Sequence, residues 1–146
     1  MPRYFTLVEA QRLIPEVERL LRQALESKTA YEEAERAIND FNERVMMLGG
    51  VMVDRQRALG NRARRDESAA QLRAAIEGVQ DTGCQIKDLD IGLVDFPTLF
   101  REVEVYLCWK LGERGIEFWH GVDEGFRGRK PIDQDFLDYH RGDRSQ

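Results

Sequence analysis

Little in this sequence would tie it to a membrane, a disulfide scaffold or a polynucleotide. Its longest uncharged apolar run, Val45 to Val53, is nine residues long and includes two glycines, against the ~18 that suggest a membrane span. The opening residues Met1-Pro2-Arg3-Tyr4-Phe5 lack the basic stretch, apolar stretch and small-residue cleavage site of a secretion signal. A cytoplasmic location without membrane contact is therefore expected. Two cysteines make no disulfide framework in a chain of this kind. A net charge of −5 disfavours nucleic acid as a general partner. No zinc-hydrolase spacing such as His-Glu-x-x-His occurs, and no serine or cysteine stands beside a histidine to suggest nucleophilic catalysis.

What is present is 146 residues and 17.0 kDa, 42% apolar and 34% charged. That length suits one domain. The charge exceeds the ~25% of an average globular protein and favours exposed helix. Thr6-Leu-Val-Glu9 reads as a capping box, so a helix starts at about Leu7. Pro15 should break or kink it and restart it, because a proline inside a helix removes a backbone donor and clashes with the preceding turn. From there a seven-residue repeat places Val17, Ala24, Tyr31, Ile38 and Val45 at one seam position and Leu20, Ser27, Ala34, Phe41 and Leu48 at the other. It predicts a coiled-coil-like helix of about 34 residues, about 50 Å at ~1.5 Å per residue, ended by Gly49-Gly50. A second helical pattern carries Ala69, Leu72, Ile76 and Val79, with Gly83 as its cap. Two such helices pack most simply as an antiparallel hairpin.

After Gly83 the pattern becomes extended. Strands are expected near Cys84 to Asp90, at Val103 to Lys110 and at Ile116 to His120, the last two joined through Leu111 to Gly115 as a hairpin. Pro97 places its stretch in a loop. The tail beyond Gly121 should wrap a face or fray. The fold class is thus α+β, a single domain over 1–146: a helical hairpin over 6–82, a small three-stranded antiparallel sheet over 83–121, and a partly irregular tail over 122–146.

Potential ligands gather in the β-part: Asp88, Asp90 and Asp95, then Cys108, His120, Asp123 and Glu124. Carboxylates with one imidazole suit Zn, Mn or Fe, and His120 and Asp123 with Asp88 or Asp90 are the metal candidates. The structural alternative makes the aspartates turn residues bonding their own backbone, His120 a hydrogen-bonded strand-end residue, and Cys84 and Cys108 small core residues. Asp88 to Gly92 begins like a calcium loop, but Leu99 stands where the loop needs a glutamate. Arg127, Arg129 and Lys130 follow His120 closely enough to bind an anion beside it. Residues 54 to 73 hold six arginines against three acids. Among these, Arg55, Arg57, Arg62, Arg64 and Arg65 lie near the hairpin tip, where they could hold a phosphate or face solvent.

Four segments carry a family resemblance: Phe5-Thr-Leu-x-Glu-Ala10 with Leu13-Ile-Pro-Glu-Val17; Lys87-Asp-Leu-Asp-x-Gly-Leu-Val-Asp-Phe-Pro97; Glu104-Val-Tyr-Leu-Cys-Trp-Lys-Leu-Gly-Glu113; and Phe118-Trp-His120 with Asp123, Gly125-Phe126 and Gly128-Arg129. Over about residues 4 to 132 the chain resembles the prokaryotic family called domain of unknown function twenty-two-oh-three. The resemblance implies the boundary between helical and β parts and carries no catalytic residue.

The leading expectation is a non-enzymatic binding or assembly module, a homodimer through its helical hairpin that offers the same surface to a protein partner. The alternatives are a metal-dependent hydrolase on the β-part and phosphate or nucleic-acid contact through the tip arginines. Light scattering should give about twice 17.0 kDa, and Ile38→Asp should lower that mass by placing a charge in the seam; a monomeric wild type at micromolar concentration would remove the dimer.

Overall fold

The computed structural model describes residues 3–47 and 54–143. The chain forms two compact units, Met1–Leu21 with Glu77–Gln146, and Arg22–Ile76. Its architecture is α+β, two long helices followed by an antiparallel sheet. No described helix is long and apolar enough to cross a membrane.

Helix α1 spans Leu7–Met47. It opens on the expected capping box: the Glu9 N–H donates to Thr6 Oγ1 at 3.1 Å and the Thr6 N–H to Glu9 Oε1 at 2.9 Å. The expected break at Pro15 does not occur, and the helix runs through it. Pro15 is exposed, so the Gln11 carbonyl it leaves without a helical donor lies on the side water can reach. Ala10 and Ile14 before the proline, and Val17 and Leu21 after it, are buried in one core. Tertiary burial on both sides outweighs the local penalty.

In the unit Arg22–Ile76 the buried positions are small. They are Ala24, Ser27 and Ala34 of α1, and Asn61, Ser68 and Ala75 of α2, which spans Arg55–Asp81. The seam of α2 is therefore Asn61, Ser68 and Ala75, seven residues apart, and the expected seam residues Ala69, Leu72 and Ile76 are half-buried beside it. Small side chains at the contact line let two helices approach closely, which a search for large apolar residues overlooks. On α1, Tyr31, Ile38, Phe41 and Val45 are likewise half-buried. Leu48 and Gly49-Gly50 lie outside the described residues.

Helix α2 ends as expected, with Gly83 at φ 101° just beyond it and its N–H donating to the Gln80 carbonyl. The sheet then has six strands rather than three: β1 Gln85–Asp88, β2 Leu93–Phe100, β3 Val103–Lys110, β4 Phe118–Gly121, β5 Lys130–Pro131 and β6 His140–Arg141. Their order is β1-β2-β3-β4-β5, with β6 also pairing β2. The expected loop around Pro97 is strand β2, buried from Leu93 to Thr98. Burial on both faces removes the alternation that marks a strand in sequence. Pro97 is tolerated because its carbonyl accepts from the Phe5 N–H at 2.7 Å, on the side away from β3. Its missing N–H therefore costs no bond in the β2–β3 ladder.

Strands β2 and β3 pair without a slip from Leu93↔Lys110 to Phe100↔Val103. The two-residue turn between them, Arg101-Glu102, has φ 51° and 67°, the left-handed geometry of a tight hairpin normally met by Asn-Gly. The tail holds it there. Arg101 pairs with Asp135 at 2.5 Å and its guanidinium lies 4.0 Å from the Tyr139 ring centre, while Glu102 receives two bonds from Arg141 at 2.7 and 2.6 Å.

One sheet face, with Val94, Phe96, Leu107 and Trp109, shares the core with Phe5, Ile14, Val17, Leu21 and Val79. The tail is ordered: helix α3, Gln134–Tyr139, buries Phe136 in this core against the rings of Phe100 and Trp119. His140 closes the start of α1, its Nε2 accepting from the Leu7 N–H at 3.0 Å.

Replacing the exposed proline by the best helix former should stabilise the fold, less the entropy proline removes from the unfolded chain. Pro15→Ala is expected to raise the unfolding free energy by about 1–2 kcal/mol in urea titrations; a loss of stability would show that the ring itself is needed.

Candidate functional site

The second face of the sheet carries polar side chains that are nevertheless buried. Directly opposed residues of antiparallel strands share a face. Asp95 lies opposite Cys108, Cys108 opposite Phe118, and His120 opposite Tyr106. Asp95, Cys108, Tyr106 and His120 therefore project from the same side, away from the helix-covered core. Asp95 is 1% exposed, Cys108 0% and His120 3%. Their donor atoms all lie within 4.8 Å of one another, the one such group of three or more possible metal ligands among the described residues.

Hydrogen bonding sets the charge of this cluster. His120 Nδ1 lies 2.8 Å from the Gly121 carbonyl oxygen and Nε2 lies 3.0 Å from Asp95 Oδ1. A carbonyl only accepts, so Nδ1 carries a proton. A carboxylate also accepts, so Nε2 carries the other and the ring is an imidazolium. Burial pulls the ring toward its neutral form. The hydrogen bonds to Asp95, Cys108 and Gly121, with the charge of Asp95, outweigh this and push its pKa up to about 10. The Tyr106 ring lies 5.5 Å from the imidazole, and Lys87 lies over the far-reaching Tyr106 ring at 5.0 Å. The other cysteine, Cys84, bonds with Thr82 and the Val79 carbonyl, and burial raises its pKa to about 11, which disfavours the reactive thiolate.

The proposed metal candidates do not all meet. His120 is joined by Asp95 and Cys108, whereas Asp88, Asp90 and Asp123 are exposed and stand outside the group. Asp88 Oδ1 instead accepts from the Asp90 N–H at 3.0 Å, bracing the turn that follows β1. Two of the three anion candidates, Arg129 and Lys130, are engaged with carboxylates, and Arg129 also adjoins Cys108 of the cluster. Arg129 pairs with Glu113 at 3.0 Å and lies between the rings of Phe118 and Phe126 at 4.2 and 4.3 Å. Lys130 pairs with Glu124 at 2.5 Å and covers Trp119. Arg127 is exposed in the 3-10 turn Phe126–Gly128. The spacing of Asp95 from Cys108 gave no hint of their proximity, since it follows from a hairpin turn with no glycine or asparagine in it.

The model of the family described as "Uncharacterized conserved protein (DUF2203)" matches residues 3–132. That span includes Asp95, Cys108 and His120 and stops before α3 and β6. No curated protein and no solved structure matches the chain.

The raised pKa makes His120 a source of stability with a defined pH window. The folded state favours the proton, so its contribution is complete below about 6.5, the ordinary histidine value, and disappears as pH rises toward about 10. Metal-free wild type is expected to lose unfolding free energy across that interval in denaturant titrations, and His120→Gln, which has no titrating ring, should flatten the curve. Parallel pH profiles for the two proteins would mean that the ring is not charged in the fold.

Proposed function

The chain belongs to this conserved family, and we propose that it is a metal-binding protein that holds one divalent transition ion between Asp95, Cys108 and His120. The convergence of the three donor atoms within 4.8 Å carries the reading. Metal–ligand bonds of roughly 2.0–2.3 Å require donors about 3–4 Å apart, and the Nε2 to Oδ1 separation of 3.0 Å is close to that. The Nδ1 bond to the Gly121 carbonyl is the outer support that ligating histidines commonly have, and it leaves Nε2 as the atom facing the ligands.

Charge balance favours a divalent ion. In the cluster the imidazolium of His120 faces the Asp95 carboxylate. Binding would replace the Nε2 proton, leaving a neutral ring and two anionic ligands, Asp95 and Cys108, around an M²⁺ ion. Two anionic ligands balance a divalent charge, which avoids the cost of an uncompensated interior charge. The thiolate shifts preference toward Zn or Fe and away from Mn, which suits oxygen ligands. All three ligands are closed to solvent. Three protein ligands leave a four-coordinate ion one further position, which structural sites close with a fourth protein ligand and catalytic sites leave to water or substrate.

A second reading, self-association through the helical hairpin, is favoured by the half-buried row Ile38, Phe41 and Val45 and by the apolar groove those residues border with Ala58.

Elemental analysis of protein purified without chelators, or reconstituted with Zn²⁺, should find about one ion per chain, with the His120 Nε2 proton released on binding. Co²⁺ substitution should produce a sulfur-to-metal charge-transfer band. Cys108→Ser leaves the His120–Asp95 pair intact, so it should keep the fold and lose the band, while Asp123→Ala should retain the metal. A wild type that stays metal-free after reconstitution overturns the proposal.

A further inference from the structure

In the unit Arg22–Ile76, a groove of 240 Å³ lies between α1 and α2, and its charged lining comes from Arg44 and Asp40 of α1 and Arg57 and Arg64 of α2. Helical spacing explains the gathering. Arg57 and Arg64 are seven residues apart and share a face of α2, with Asn61 between them toward α1. Asn61 is 3% exposed, and its Oδ1 accepts from Arg64 Nη2, tying that guanidinium to the helix contact. None of the three arginines is in an ion pair with a described residue, whereas Arg65, one position on, pairs with Asp66 and Glu35. The lining of this groove holds three arginines and one carboxylate, Asp40, a net positive charge that an anion would offset, while Arg64 also borders the adjoining groove that carries Glu33 and Glu67.

We propose that this groove is a binding site for a phosphoryl group carried by a small molecule, with Arg44, Arg57 and Arg64 as its ligands. Guanidinium groups match phosphate oxygens in a planar, two-bond geometry. Arginines arriving from two helices surround the anion rather than face it from one side. The volume is below the roughly 300–1,000 Å³ of pockets that enclose drug-sized ligands. It suits a phosphate or pyrophosphate moiety and not a whole nucleotide. The same phosphate chemistry could come from a nucleic-acid backbone. The net charge of −5 and a lining with a single aromatic, Phe41, too few to stack successive bases, favour the small molecule.

The site is separate from the sheet cluster and does not depend on a metal being there. Isothermal titration of the full chain with pyrophosphate, in a buffer matched for ionic strength with chloride, should show saturable binding. Arg57→Ala and Arg64→Ala should each weaken it about tenfold or more, and Arg64→Lys should recover only part because it lacks the two-pronged donor. Circular dichroism confirms that each variant remains helical, and Arg127→Ala serves as a charge-matched variant with no effect. Absence of saturable binding, or equal loss in Arg127→Ala, overturns the proposal. A single-stranded oligonucleotide that binds more tightly than pyrophosphate, with affinity falling steeply in salt, also overturns it, since the groove is then part of a polyanion-binding surface.

Discussion

Asp95 faces Cys108 because β2 and β3 stay in register from one end of their pairing to the other. A slip of one residue would turn Asp95 toward the apolar core and bring Val94 or Phe96 to the polar face, since strand side chains alternate. His120 is then placed by the register of β4 on β3. The polar cluster and the apolar core are two sides of this one alignment. Each resists its loss, the core by exposing Phe96 and Leu107, the cluster by stranding a charge.

The turn that pins the alignment is built from residues with no intrinsic liking for it. Arg101 and Glu102 both have positive φ, a conformation that costs non-glycine residues of order 1 kcal/mol each. Their charges are met by Asp135 and Arg141, and the Arg101 N–H donates to the Tyr139 carbonyl. The tail thus secures the hairpin at one end, while Phe136 joins the core and His140 caps α1. Segments far apart in sequence support the same small region, and the strain of the turn is held by contacts made elsewhere.

The two histidines show how surroundings assign opposite states to one side chain. His120 meets acceptors at both nitrogens and is charged. His140 accepts from Leu7 at Nε2 and faces the carbonyls of Phe136 and Leu137 at Nδ1. It is therefore neutral, with its single proton on Nδ1. The first is suited to exchange a proton for a metal ion. The second does its work as a neutral cap, the role that a side-chain oxygen plays at most helix starts.

Local signals were strong enough in the sequence to determine the helix start at Thr6 and Glu9, the cap at Gly83, strand β3, the order of helices before sheet, and the family. These depend on residues within a few positions of each other. Tertiary structure decided what depended on distant partners. Pro15 stays within a helix because Ile14 and Val17 are buried on either side of it, and the α2 seam runs through Asn61, Ser68 and Ala75 because close helices favour small contacts. Strand β2 hid behind Asp95 and Pro97, which disfavour strands alone and are satisfied only by His120 and Phe5. The cluster was legible as a set of ligand types but not as a set of neighbours. Which acid reaches His120 is a matter of strand register, and register is set by pairing energy summed over the whole hairpin rather than by any spacing along the chain.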